Sequence, residues 1–152
     1  MKNRVKLLIL IITIVLIHSC KEVVAPTVIT SEVTNITGTT ATCGGTITDE
    51  GSGEIVFRGV CWSSTPAPTN LDNNTYDGDS IGTFISNMSD LMGATTYYVR
   101  AYATNVTGDY GNSTGYGNTI TFTTLGELPI AETYPAINVA KTSATLNGTV
   151  KA

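Results

Sequence analysis

The sequence predicts an all-β protein, a two-sheet antiparallel sandwich of about a hundred residues. Three observations predict it. Short segments of alternating apolar and polar residues recur along the 152-residue chain, turn residues separate them, and no segment after Cys20 keeps a helical apolar period. The abundance of Thr, Gly, Asn, Val and Ile points the same way, because β-branched residues fit a pleated surface and Gly and Asn supply the turns.

The chain opens with Lys2, Arg4 and Lys6, then an apolar run over residues 7–17, then His18-Ser19-Cys20. A basic start and an apolar core of this length suit a secretory signal, and the run is too short to span a bilayer as a helix. Ile17 and Ser19 ahead of Cys20 resemble a bacterial lipoprotein signal. That resemblance implies cleavage before Cys20 and lipidation of its thiol. Residues 1–19 are thus expected to be a signal peptide, and residues 20–25 a lipidated N-terminus and tether. Lys21 stands where an aspartate would resemble an inner-membrane retention signal, which favours the outer membrane, with the cell surface as the expected side.

Strands are expected near residues 27–33, 39–48, 55–63, 82–87, 96–104 and 119–124. Asp49-Glu50-Gly51-Ser52-Gly53, Pro66-Ala67-Pro68, Tyr76-Asp77-Gly78 and Gly108-Asp109 supply the breaks. These strands define one domain over residues 26–124, followed by a linker at 125–128.

Residues 129–151 align without gaps on residues 26–48. Pro26, Thr30, Asn35, Thr39, Ala41, Thr42, Gly45 and Thr46 recur as Pro129, Thr133, Asn138, Thr142, Ala144, Thr145, Gly148 and Thr149. The offset equals the length expected for one sandwich. Residues 129–152 therefore read as the first two strands of a second, incomplete repeat, and two strands cannot bury a core alone. A fragment of a longer chain, a disordered tail or pairing with another chain would each account for this, and the fragment is the expected one, with further domains after residue 152.

Leu91-Met92-Gly93-Ala94-Thr95-Thr96-Tyr97, followed by Val99, Ala101, Ala103 and Asn105, resembles the E–F corner and F strand of fibronectin type III domains. The usual pattern is L-x-P-x-T-x-Y-x-V, with Gly93 here in place of proline. The resemblance implies an immunoglobulin-like sandwich in which the Tyr97 hydroxyl bonds back across the corner. Arg58-Gly59-Val60-Cys61-Trp62-Ser63 and residues 97–105 look like a subgroup found as tandem domains in bacterial surface lipoproteins. This implies a setting and hardly any activity, since such sandwiches serve many roles.

With Cys20 committed to the lipid, Cys43 and Cys61 are the remaining pair, and an oxidising exported compartment would join them. Leu146 replaces Cys43 in the repeat, which points Cys43 into the core. Two buried free thiols are the alternative. If Cys61 also points inward, Arg58, Val60 and Trp62 face out by strand alternation. Tyr98, Arg100 and Tyr102 face out opposite Tyr97 and Val99. Arg58, Trp62, Tyr98, Arg100 and Tyr102 would then form one aromatic and cationic face, suited to a protein or glycan ligand. Cross-strand ladders, or cover by the loop at 64–76, would explain the same residues without a ligand.

The long connection 105–118 carries Tyr110 and Tyr116 among Gly, Ser and Asn, a composition suited either to an adaptable binding loop or to a plain hairpin. Residues 72–79 are oxygen-rich but lack EF-hand spacing, so they read as a solvated turn and no metal is expected.

Loss of residues 1–19 would leave five basic side chains against the twelve acidic ones. Lys21, Arg58, Arg100, Lys141 and Lys151 are scattered, which excludes a nucleic-acid footprint. His18, the one histidine, would leave with the signal, removing the usual general base. The expectation is a non-catalytic, cofactor-free envelope lipoprotein. It would serve as a structural spacer displaying further domains, or as an adhesin or glycan-binding module.

Overall fold

The computed structural model describes residues 23–108, 111–126 and 129–151. The expected signal peptide, Cys20 and Tyr110 lie outside the described residues. Among the described residues ten strands form, all paired antiparallel: β1 (Thr27–Thr30), β2 (Ala41–Asp49), β3 (Glu54–Ser63), β4 (Asn73–Asn74), β5 (Gly82–Met88), β6 (Thr96–Val106), β7 (Asn112–Tyr116), β8 (Ile120–Thr123), β9 (Ile130–Ile137) and β10 (Thr145–Lys151).

One sheet has the order β1-β2-β5. A second has the order β4-β3-β6-β7, with β8 pairing the first part of β6 and β7 its second part, while β9 and β10 form a separate two-stranded sheet. Side chains of the first two sheets meet in a single core, where Cys43, Ile47 and Met88 of the first face Val60, Val99 and Ala101 of the second. Alternation on β5 places Phe84, Ser86 and Met88 inward and Thr83, Ile85 and Asn87 outward. Ile47, Val60 and Val99 are at most 1% exposed, and burying each contributes roughly 1.5–3 kcal/mol.

Strand β3 does not follow the expected parity. Its register against β6 slips between Ile55 and Phe57, and beyond the slip Val60 and Trp62 enter the core while Gly59 and Cys61 face the other way. The physical reason is size. Turning Trp62 inward buries far more apolar surface than turning Cys61 inward, and the small Gly59 and Cys61 leave room for chain to lie over the outer face.

The corner before β6 is closed by the Tyr97 side chain. The Tyr97 hydroxyl accepts the Met92 N–H at 3.0 Å, and its ring stacks on Phe122 at 5.8 Å. Asn105, fully buried, donates from Nδ2 to the carbonyls of Val24 and Glu50 at 2.8 and 2.7 Å, fastening the segment before β1 to the domain.

Strands β9 and β10 repeat the geometry of β1 and β2. The pairs Val28↔Ile47, Ile29↔Thr46 and Thr30↔Gly45 recur as Ala131↔Val150, Glu132↔Thr149 and Thr133↔Gly148, and the isolated bridge Thr34↔Thr42 recurs as Ile137↔Thr145. Asn35 and Asn138 both adopt positive φ, 50° and 51°. The turn bond from Thr37 N–H to Thr40 O also recurs, from Ala140 N–H to Ser143 O. What differs is cover: Ile47 is buried, while Val150 and Leu146, the counterpart of Cys43, are exposed.

Candidate functional site

The five residues expected to share one binding face divide between the two sides of the sheet. Trp62 is 8% exposed and belongs to the core. Arg58, on the same side of β3, spreads its guanidinium over the Phe84 ring at 5.2 Å from the centroid and donates through Nε to Asp77 O at 2.9 Å. Tyr98, Arg100 and Tyr102 alone point to the outer side, where Arg100 lies opposite Cys61 and Tyr102 opposite Gly59. The expected co-facial stripe is therefore corrected: the inward turn of Trp62 separates it from the tyrosines.

The outer side is covered by the chain between β3 and β5. Arg100 Nε donates to Pro68 O, and its guanidinium stacks 3.9 Å from the Tyr116 ring centroid. The Tyr116 hydroxyl donates to Asn70 Oδ1 at 2.8 Å, and the Tyr102 hydroxyl donates to Thr75 O at 2.8 Å. Gly59 is required beneath this cover, because a Cβ there would stand 2.1 Å from Thr75 O. The cover leaves Tyr102 only 4% exposed and Tyr98 half-buried.

The expected binding loop is also largely strand. β6 continues to Val106 and pairs with β7 in a hairpin, so the connection shrinks to residues 107–111, and Tyr116 is turned onto Arg100 rather than toward solvent.

Cys43 and Cys61 are free thiols, which corrects the expected disulfide. Cys43 Sγ donates to Ser31 O at 3.3 Å from within the core, whereas Cys61 Sγ lies on the outer side within 3.5 Å of the carbonyls of Pro68 and Arg100. The β3–β6 sheet stands between them. Burial pushes the Cys43 thiol above its ordinary value. Burial also pushes Cys61 up to about 11, only partly offset by the Arg100 charge. The Tyr102 hydroxyl is raised too, first by burial and then by Cys61 and Asp77 nearby. Thiols so raised are poor nucleophiles.

One cleft opens where β3 and β5 end and β6 begins. It has a volume of about 280 Å³ and is lined by Trp62, Asn73, Asn74, Ser89, Asp90 and Tyr97. The Trp62 indole N–H has no hydrogen-bond partner among the described residues, nor is it sealed from solvent. Asn74 Nδ2 donates to Asn70 O and Asp72 O, which fixes the amide with its carbonyl oxygen free to accept. Ser89 Oγ donates to one carboxylate oxygen of Asp90 at 2.8 Å. Sequence reasoning named Trp62 for a different face, Tyr97 for the corner and residues 72–79 as a solvated turn, but did not bring them together with Ser89 and Asp90, because they come from separate stretches of chain with no shared motif. A second depression of about 460 Å³ includes Glu50, Glu54 and Asp79. Among the described residues no three His, Cys, Asp or Glu side chains converge as metal ligands.

No protein-family model and no curated protein matches the chain. Among solved structures, the chain is similar to the sensor domain of the anti-sigma factor RsgI4 from Pseudobacteroides cellulosolvens, at 18% identity and a TM-score of 0.46, covering 70% of this chain and 100% of that one.

Proposed function

We propose that this protein is a non-catalytic lipoprotein of the bacterial envelope, anchored through Cys20 and facing the cell surface from the outer membrane. Its fibronectin type III-like sandwich acts as a spacer that holds further domains away from the membrane. The observation that carries this reading is the recurrence of the β1–β2 register in β9–β10, with the same positive-φ asparagine and the same turn bond. A repeated unit of this kind is what a tandem stalk requires.

The fibronectin type III likeness is supported by the strand order, β1-β2-β5 against β4-β3-β6-β7, and by the Tyr97 hydroxyl accepting from Met92 across the corner. The spacer role is favoured over binding on the outer face because Arg100, Tyr102 and Tyr116 are occupied by the chain that covers them. Docking of Val24 by Asn105 suits transmission of position from anchor to domain.

Fractionation of bacteria expressing the full chain and its Cys20→Ala variant tests the anchor. The reading expects the parent chain in the outer membrane, cleavable by protease added to whole cells, and the variant released in soluble form. Parent chain recovered in the soluble fraction would overturn it.

A further inference from the structure

We propose that the cleft between β4 and the end of β5 binds a single neutral sugar ring. The site goes beyond the spacer role and does not depend on it. Its floor is preformed, because Trp62 and Tyr97 are more than nine-tenths buried and held by core packing, while Asn73, Asn74, Ser89 and Asp90 form an exposed rim.

The polar groups are mixed in a way that selects the ligand class. The Trp62 indole N–H and the Asn73 amide have no partners among the described residues and supply donors. The fixed Asn74 carbonyl oxygen and the second carboxylate oxygen of Asp90 supply acceptors. A hydroxyl both donates and accepts, so a ring bearing several hydroxyls satisfies all four. No Lys or Arg lines the cleft, and Asp90 would repel an anion. One carboxylate is too few for a bare divalent cation. The volume falls just below the roughly 300–1,000 Å³ of sites for drug-sized ligands, which fits one ring.

Trp62 is the single tryptophan, so intrinsic fluorescence reports directly on the cleft. The test titrates the full chain with methyl glycosides of glucose, galactose, mannose and N-acetylglucosamine to about 100 mM, a range that saturates even millimolar sites. Saturation-transfer NMR on the same samples detects binding that leaves fluorescence unchanged. At least one glycoside is expected to give a saturable response, weakened about three- to tenfold by Asn73→Ala and by Asp90→Asn, each removing or altering one hydrogen-bonding group at an exposed position. No saturable signal by either method would overturn the site. Binding unmoved by both substitutions would overturn its location, and tighter binding of glucose 6-phosphate than of glucose would overturn the neutral class.

Discussion

Cys43 and Cys61 are both buried yet lie on opposite sides of the β3–β6 sheet, the first in the core and the second beneath the chain that carries Pro68. No rotation of either side chain brings the sulfurs within bonding distance across a packed sheet. Both are therefore expected to alkylate slowly with iodoacetamide in the folded protein. With Cys61 pushed up to about 11, its thiolate fraction near pH 8 is about a thousandth, and the rate should rise roughly a hundredfold or more on denaturation. Rapid modification of the native protein would contradict this placement.

The same thiol makes stability fall in alkali. An acid whose folded value lies above its unfolded value favours folding fully below the unfolded value, near 9, and loses that contribution as the pH rises through the folded value, about 11. Urea midpoints measured from pH 7 to 10 should decline above pH 9. Cys61→Ala should lower the midpoint at pH 7 but flatten the decline.

Arg100 joins the sheet to its cover through Pro68 O and the Tyr116 ring. Arg100→Ala leaves the Pro68 carbonyl with only the weak Cys61 thiol as donor and the ring without its cation, a loss of about 2–3 kcal/mol by urea unfolding. Arg100→Lys keeps the charge but not the planar fork and should fall between.

Asn105 holds two carbonyls at once, and its Oδ1 has no partner in the structure among the described residues. Asn105→Ala should cost about 2 kcal/mol and expose the segment around Val24 to protease. A variant equal to the parent in both respects would remove the role assigned to this side chain.

The all-β class was legible because alternation on β5 and β6 meets one buried and one more exposed face, as in Tyr97, Val99 and Ala101 against Tyr98 and Arg100. Strand β3 was not legible, because chain covers its outer side as well, and Val60, Cys61 and Trp62 are buried in succession. Parity there depended on the assumed disulfide, and failed with it. Strand β7 read as loop because of its Asn, Ser and Gly, yet Gly115 is there for close approach: a Cβ would stand 1.9 Å from Pro26 O. Cover by the loop at 64–76 was one of the expected alternatives, but its particular bonds were not legible, because they run from side chains to backbone carbonyls, which no residue pattern encodes.

The anchor at Cys20 is the center of the proposed role, and intact mass of the exported, purified chain before and after reduction tests it most directly. The account predicts an acylated chain beginning at Cys20 whose mass does not change on reduction. An unmodified chain retaining Met1 would contradict it.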